Sequence, residues 1–487
     1  MVPLLSLMVF LPLAGAIAMI AVPADRPTWP RWIAATVSAT VLAIASYTVA
    51  TIQYTGGPQF VERYPWIPIV NIEYYLGLDG LSVLLVALSA LLSFLAVLAS
   101  WKVDKRPKFY FGMILLLAVG TNGVFMALDL ILFYVFWELV LVPMYFLIAV
   151  WGGERRAYAA VKFFLYTMLG AVLMLVGILA IYLHPQGGTF DMLALVDRGF
   201  PADFQWWVFL ALFLGFAVKV PIWPLHTWLP DAHVEAPTAA SALLAGILLK
   251  MGTYGFLRIS LPVLPEAWAQ WSWFIGVLAV ISIIYGALVA FAQTDLKKLV
   301  AYSSVSHMGF AMLGIAAGTA VGLDGAQAVN ISHGLLSAML FLGVGMTYER
   351  THTRKIAEVS GLAGQTPVLA GLFAFAAFAS LGLPGLSGFV GEFLSLLGSW
   401  QSSLAATFTV LAALGVLLGA AYMLWMVQRV VLGEVSPAVD GMSDATPREV
   451  MTLVPLAALS LAMGVWWLWT LQHFDAYSEG LARVLAR

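Results

Sequence analysis

Apolar runs of about twenty residues alternate with short polar connections along almost the whole of this 487-residue chain. A helix needs about 20 such residues to cross the hydrocarbon core of a bilayer, so each run reads as a membrane span. Fourteen runs qualify, at 4–22, 32–53, 78–100, 110–127, 129–150, 161–183, 206–231, 238–260, 271–292, 299–317, 326–348, 368–398, 406–428 and 453–470. The pattern predicts an all-α polytopic membrane protein of about 14 transmembrane helices, with 1–487 forming a single integral membrane domain. Met1 to Phe10 carries no basic residue ahead of its apolar run and reads as part of the first span, not as a removed leader.

Composition agrees, with 62% hydrophobic and 10% charged residues and a mean hydropathy of +0.95. The net charge of -2 argues against a nucleic-acid partner, and the bilayer itself is the surrounding medium. The chain has no cysteine, which excludes disulfides, iron–sulfur clusters and thiolate zinc sites. Any redox chemistry therefore has to reside in other chains. Sixteen basic residues fall in connections after odd-numbered spans: Arg26, Arg31, Lys102, Lys105, Arg106, Lys108, Arg155, Arg156, Lys162, Lys297, Lys298, Arg350, Arg354, Lys355, Arg429 and Arg448. Five lie on the other side, Arg63, Arg198, Arg258, Arg483 and Arg487, which leaves only Lys219 and Lys250 of the 23, both inside spans. The positive-inside rule then puts both termini on the non-cytoplasmic side of a bacterial plasma membrane.

Two spans are interrupted, the seventh by Pro221 and Pro224 and the twelfth by the Gly- and Pro-rich stretch 380–391. They are five spans apart, and an odd repeat length inverts the second copy relative to the first. Spans 4–8 and 9–13 are thus expected to form two inverted five-helix repeats, 110–260 and 271–428, with 1–100 and 453–487 as flanking helices and the broken helices 7 and 12 meeting near the midplane. The polar landmarks keep a near-constant offset: Lys219 to Glu392 is 173 residues and Glu138 to His307 is 169. Lys250 has no ionisable counterpart near Ala420.

A charged side chain at bilayer depth is costly, and such residues usually pair or line a water-filled path. Glu138, Lys219, Lys250, His307, His333 and Glu392 lie one each in spans 5, 7, 8, 10, 11 and 12. Burial and neighbouring charges act in opposite senses on such groups, so their neighbours control when they take up or lose a proton. They read as a proton relay in which Glu138 pairs with Lys219, Lys250 sits at the centre, and the histidines carry the path to Glu392. The plainer readings are lysines bonded to freed carbonyls at helix breaks, Glu392 in a structural pair, and histidines as satisfied hydrogen-bond donors. A denser cluster, His226, Asp231, His233 and Glu235, has the residue types of a metal site without the spacing of one; no metal is expected there. It reads as helix caps and a gate.

Three motifs carry a family resemblance: Phe136-Trp137-Glu138, the run Val218-Lys219-Val220-Pro221-Ile222-Trp223-Pro224-Leu225-His226-Thr227-Trp228-Leu229-Pro230-Asp231-Ala232-His233 followed by Lys250, and Asp295-Leu296-Lys297-Lys298 with Ser304, His307 and Gly309. Over spans 3 to 13 the chain resembles the antiporter-like subunits of respiratory complex I, the NADH:quinone oxidoreductase. The resemblance implies a fourteen-span fold of paired inverted repeats and proton translocation driven by quinone reduction elsewhere. It implies that Glu138 and Lys219 are the control pair and Lys250 the central relay. Glu392, an acid where related branches carry lysine, is similar to the M-type branch. FMN, iron–sulfur clusters and quinone are then expected in partner subunits, none in this chain, with L-type and N-type antiporter-like subunits among the membrane-arm neighbours. The alternatives are a subunit of a multisubunit cation/proton antiporter or of a membrane-bound hydrogenase, and a purely structural membrane subunit.

Overall fold

The computed structural model describes residues 3–23 and 25–486. Each apolar run falls on a helix or on a pair of half-helices. These are α1 (Leu4–Ala21), α2 (Trp29–Thr51), α3 (Val83–Ala99), α4 (Pro107–Met126), α5 (Leu130–Trp151), α6 (Arg156–Leu183), α7 (Ala202–Lys219), α8 (Trp228–Glu235), α9 (Thr238–Val263), α10 (Pro265–Phe291), α11 (Leu296–Ala317), α12 (Ala320–Thr351), α13 (Pro367–Ser380), α14 (Ser387–Gln401), α15 (Ala406–Val431), α16 (Pro447–Val465) and α17 (Asp475–Leu485). Among the described residues twelve helices are long and apolar enough to cross a membrane, and α3 and α13 are shorter apolar helices. The chain is an integral multi-pass membrane protein. The apolar stretches of α9 and α12 are wholly buried and form the centre of the bundle, whereas α1, α2, α15 and α16 show much of their apolar surface.

An element outside the helical pattern joins α2 to α3: β1 (Gln59–Ile67) pairs antiparallel with β2 (Ile72–Leu78), turning at Asn71 with φ 55°. Glu62 of β1 turns inward and accepts the backbone N–H groups of Leu5 and Ser6 at 2.8 and 3.0 Å, placing a carboxylate on the open N-terminus of α1. The expected third span, 78–100, therefore begins in a strand end and a turn.

The same local devices recur in the two halves. Asp129 caps α5 by accepting Ile131 and Leu132 N–H, and Asp295 caps α11 by accepting Lys297 and Lys298 N–H. Asp129 makes an isolated bridge with Asp191, and Asp295 makes one with Lys355, so each helix start is tied to a segment about sixty residues later. Both halves also carry a broken helix, α7–α8 and α13–α14. In the second break, residues 381–386, Gly382 and Gly385 have φ of 84° and 90°, a region that favours glycine.

Two cations read as lying outside the buried spans are buried in helices instead. Lys297 sits in the first turn of α11, buried, with its ammonium 2.5 Å from Ala236 O. Arg258 is buried in α9 and makes a two-pronged ion pair with Asp79, both contacts 2.6 Å. The Tyr477 ring of α17 lies 5.1 Å from the guanidinium, and its hydroxyl donates to Leu257 O at 2.9 Å. This pair ties the β2–α3 turn, α9 and α17 together. Removing one partner strands the other charge: Asp79→Ala should lower stability by about 3–5 kcal/mol. Thermal unfolding of the detergent-solubilised chain would read this as a depressed midpoint, with much of the loss recovered when Arg258→Met is combined with Asp79→Leu. An unchanged midpoint in Asp79→Ala would refute it.

Candidate functional site

Helix α7 ends at Lys219, and the chain crosses residues 220–227, including a cis Trp223–Pro224 bond, before α8 begins. Pro221 and Pro224 bring no N–H to satisfy. The Trp228 indole donates to Val218 O at 2.9 Å, and Trp223 N–H donates to Ser282 Oγ at 3.0 Å, so backbone groups at the break are held by protein. Lys219 is 2% exposed, its ammonium 5.4 Å from the Trp137 ring and 5.8 Å from that of Phe163. Aromatic faces are among the few surroundings that favour a cation in a dry interior.

Glu138, beside Trp137, is only partly buried, because its face of α5 looks outward from the bundle. It and Lys219 interact electrostatically, but the ion pair expected between them is not formed within 4.0 Å. The lysine turns to the rings, and the carboxylate stays at the edge.

Lys250 follows a π-helical turn, Leu244–Leu248, a widening common at functional sites. Its ammonium donates to Ala245 O and lies 2.6 Å from each of that oxygen and His333 Nδ1. An ammonium only donates, so His333 Nδ1 accepts when Lys250 is charged, and the ring proton then sits on Nε2. That Nε2 has no partner within the chain. The rings of His333 and His307 are 5.8 Å apart. His307 Nδ1 is 2.7 Å from Glu392 Oε1, and its Nε2 is 3.3 Å from the Tyr422 hydroxyl. A cavity of about 10 Å³ lined by His307, His333, Ser332 and Glu392 is about the size of one water. Lys250, His333, His307 and Glu392 thus form a file of exchangeable protons inside an apolar bundle, ending beside the second break.

Near Lys250 lies a residue that the sequence reading left in a gate loop. His233 of α8 is fully buried, its ring stacked 4.3 Å from Phe341 and neither nitrogen bonded. It lies within electrostatic reach of Lys250 and Lys297 and of His333. The two acids of its cluster are engaged elsewhere: Asp231 pairs with Lys162 at 2.7 Å, and Glu235 accepts Arg155 N–H at 2.9 Å. Among the described residues no group of acids and histidines is arranged to hold a metal. Tyr422 was also missed. It stands 172 residues after Lys250, the offset of the other landmarks, but a search for ionisable groups passes over a phenol.

Comparison with known proteins matches residues 127–418 to the family described as NADH:quinone oxidoreductase/Mrp antiporter, TM, and residues 7–121 to NADH-ubiquinone oxidoreductase chain 4, amino terminus. NADH-quinone oxidoreductase subunit M of Rhodobacter capsulatus is 46% identical over 95% of this chain and 93% of that one. The chain belongs to the NADH:quinone oxidoreductase/Mrp antiporter family. A chain of Thermus thermophilus respiratory complex I with bound NADH superposes on this member of the family with a TM-score of 0.91 at 35% identity, covering 99% of both chains. A chain of the Mrp complex from Dietzia sp. has the same fold, with a TM-score of 0.86 at 23% identity over 99% of both.

In this family member the two lysines are set by one close approach. A Cβ on Gly252 of α9 would stand 2.6 Å from Val220 Cγ2 and 2.7 Å from Phe216 O, at the turn of α7 that presents Lys219. Gly252→Ala should therefore push α7 off α9 and cost about 1–3 kcal/mol, seen as a lower thermal midpoint. A wild-type midpoint would show that the helices have room to spare.

Proposed function

We propose that the chain is the M-type, proton-translocating subunit of a bacterial inner-membrane NADH:quinone oxidoreductase, itself without redox chemistry and driven by quinone reduction in other subunits. The observation that carries this reading is the file Lys250–His333–His307–Glu392, buried in the bundle and in contact along its length except for the gap between the two histidine rings, beside which a cavity has room for a single water.

In this reading the proton waits on Lys219. Glu138, at the edge of the bundle, faces a neighbouring subunit, and moving its charge toward or away from Lys219 governs whether the lysine keeps its proton. His233 bridges toward Lys250, and the histidines pass the proton on to Glu392. FMN, iron–sulfur clusters and quinone belong to partner subunits, and L-type and N-type antiporter-like neighbours flank the chain. The paired caps Asp129 and Asp295, the paired bridges and the paired breaks support two inverted five-helix repeats within a fourteen-span fold, with both termini on the non-cytoplasmic side.

Donor-driven proton uptake by membrane vesicles at equal assembly tests the reading. Lys219→Ala, Lys250→Ala, Glu138→Gln and Glu392→Gln should each lower NADH-driven pumping by about a hundredfold or more, the scale of losing a positioned acid or base. Glu392→Lys, which keeps a titratable group, should retain part of it. Pumping at the wild-type level in Lys250→Ala would sink the assignment. Intact NADH oxidation and pumping with loss of a Na⁺- or K⁺-dependent proton exchange would instead make the chain an antiporter module.

A further inference from the structure

Helix α12 carries three buried polar side chains about one turn apart, Asn330, Gln327 and Asp324, leading from His333 toward its N-terminal end. They are 1%, 3% and 8% exposed. Thr253, one turn past Lys250 on α9, donates to Asn330 Oδ1 at 2.8 Å, so the row starts at the central lysine. At its far end Gln327 Nε2 donates to Ser478 Oγ at 2.8 Å, and Asp324 shares a hydrogen bond with Asp475; both partners belong to α17. Each of the three has an atom with no partner within the chain: Asn330 Nδ2, Gln327 Oε1 and Asp324 Oδ1. So do His333 Nε2 at the start of the row and Ser395 Oγ of α14, which faces the row at Gly325.

A buried donor or acceptor left open costs about 1–3 kcal/mol, so five on one seam call for a common partner. Buried water satisfies such mixed sets of donors and acceptors. The Asp324–Asp475 pair adds a second feature, because two carboxyls in hydrogen-bonding contact cannot both be ionised and hold a proton between them. Asp475 lies outside the spans, and burial above all pushes its carboxyl up from the ordinary range. The nearby charge of Glu479 acts in the same direction, and the bond with Asp324 acts against them. The other charges around this end are already paired: Arg258 with Asp79 beneath α17, and Arg483 with Glu479 on it.

We infer that Asn330, Gln327 and Asp324 line a water file from the Lys250–His333 pair to the Asp324–Asp475 carboxyls, and that this carboxyl pair is the group from which protons leave the chain. The inference rests on the proton-translocation reading. The Lys250 ammonium gives one proton to the file, a proton at the far end passes to the carboxylate of the pair, and the pair releases one to bulk water. Lys250 is left as a neutral amine until it is recharged from the Lys219 side, and no electron moves. Glu392, one turn from Ser395, reaches the same file, so both ends of the buried relay share one outlet.

The test compares Asp324→Asn, Asp475→Asn and Gln327→Leu with Lys250→Ala in the whole assembled complex, reconstituted in liposomes and driven by NADH. Asp324→Asn and Gln327→Leu should lower pumped protons about tenfold or more, while Asp324→Glu restores them. Infrared difference spectra should show a protonated-carboxyl band in the wild type that shifts in D2O and is missing in both Asp324→Asn and Asp475→Asn, a readout that a packing defect would not give. If one variant fails to assemble, the others carry the test. Wild-type pumping in Asp324→Asn, Asp475→Asn and Gln327→Leu beside a dead Lys250→Ala would overturn the outlet and leave the pump standing. Wild-type pumping in all four, Lys250→Ala included, would overturn both.

Discussion

In hydrocarbon no water is at hand to satisfy an open backbone group or an isolated charge, and this constraint organises the whole chain. Where the helices break, the loose ends are held by side chains, the Trp228 indole on Val218 O and Ser282 Oγ on Trp223 N–H. Where a charge is buried, it finds rings, a carbonyl, a histidine or a carboxylate: Lys219 over Trp137, Lys250 on Ala245 O and His333, Arg258 on Asp79. The exceptions are informative because the rule is strict. Among the buried polar atoms left open are those of His233, His333, Asn330, Gln327, Asp324 and Ser395, with His226 at the first break.

The route is uneven. From Lys250 onward the groups are in contact or one water apart, whereas Lys219 has aromatic neighbours and a carboxylate that stands off at the bundle edge. A tight Glu138–Lys219 ion pair would hold the proton too firmly to be a useful control point; a looser electrostatic interaction changes strongly with small movements of either group. Of the groups in the proposed relay, the partly exposed Glu138 is therefore the one most open to influence from outside the chain. His233, fully buried and unbonded, lies within electrostatic reach of Lys250.

Most of the helices could be read from the sequence because a span must be apolar for about twenty residues, and that signal survives any packing arrangement. The breaks were legible for a related reason: Pro221, Pro224, Gly382 and Gly385 change backbone options locally. Contacts between distant residues were not. Nothing local to Glu138 says that its face of α5 turns outward, and nothing local to Lys297 or Arg258 separates a buried cation from a loop cation at a helix end. The β1–β2 hairpin escaped because a membrane reading searches for helix length and not for strand alternation. Tyr422 and His233 escaped because a phenol and a loop histidine gain their meaning only from His307 and Phe341 beside them.

The two halves share caps, bridges and breaks but not side chains, and that difference gives the path a direction. Where the first half places Lys219 and Lys250, the second has Glu392 and Tyr422, so cationic sites face the first break and an acid and a phenol the second. In the proposed relay a proton that departs from either lysine leaves behind a neutral amine, while one that arrives at an ionised Glu392 neutralises a charge. The electrostatic state of the bundle therefore alternates as the proton crosses it. On the proposed reading, a scaffold whose two halves share caps and breaks carries unlike residues at its centre, and that difference sets which end of the file loads and which one empties.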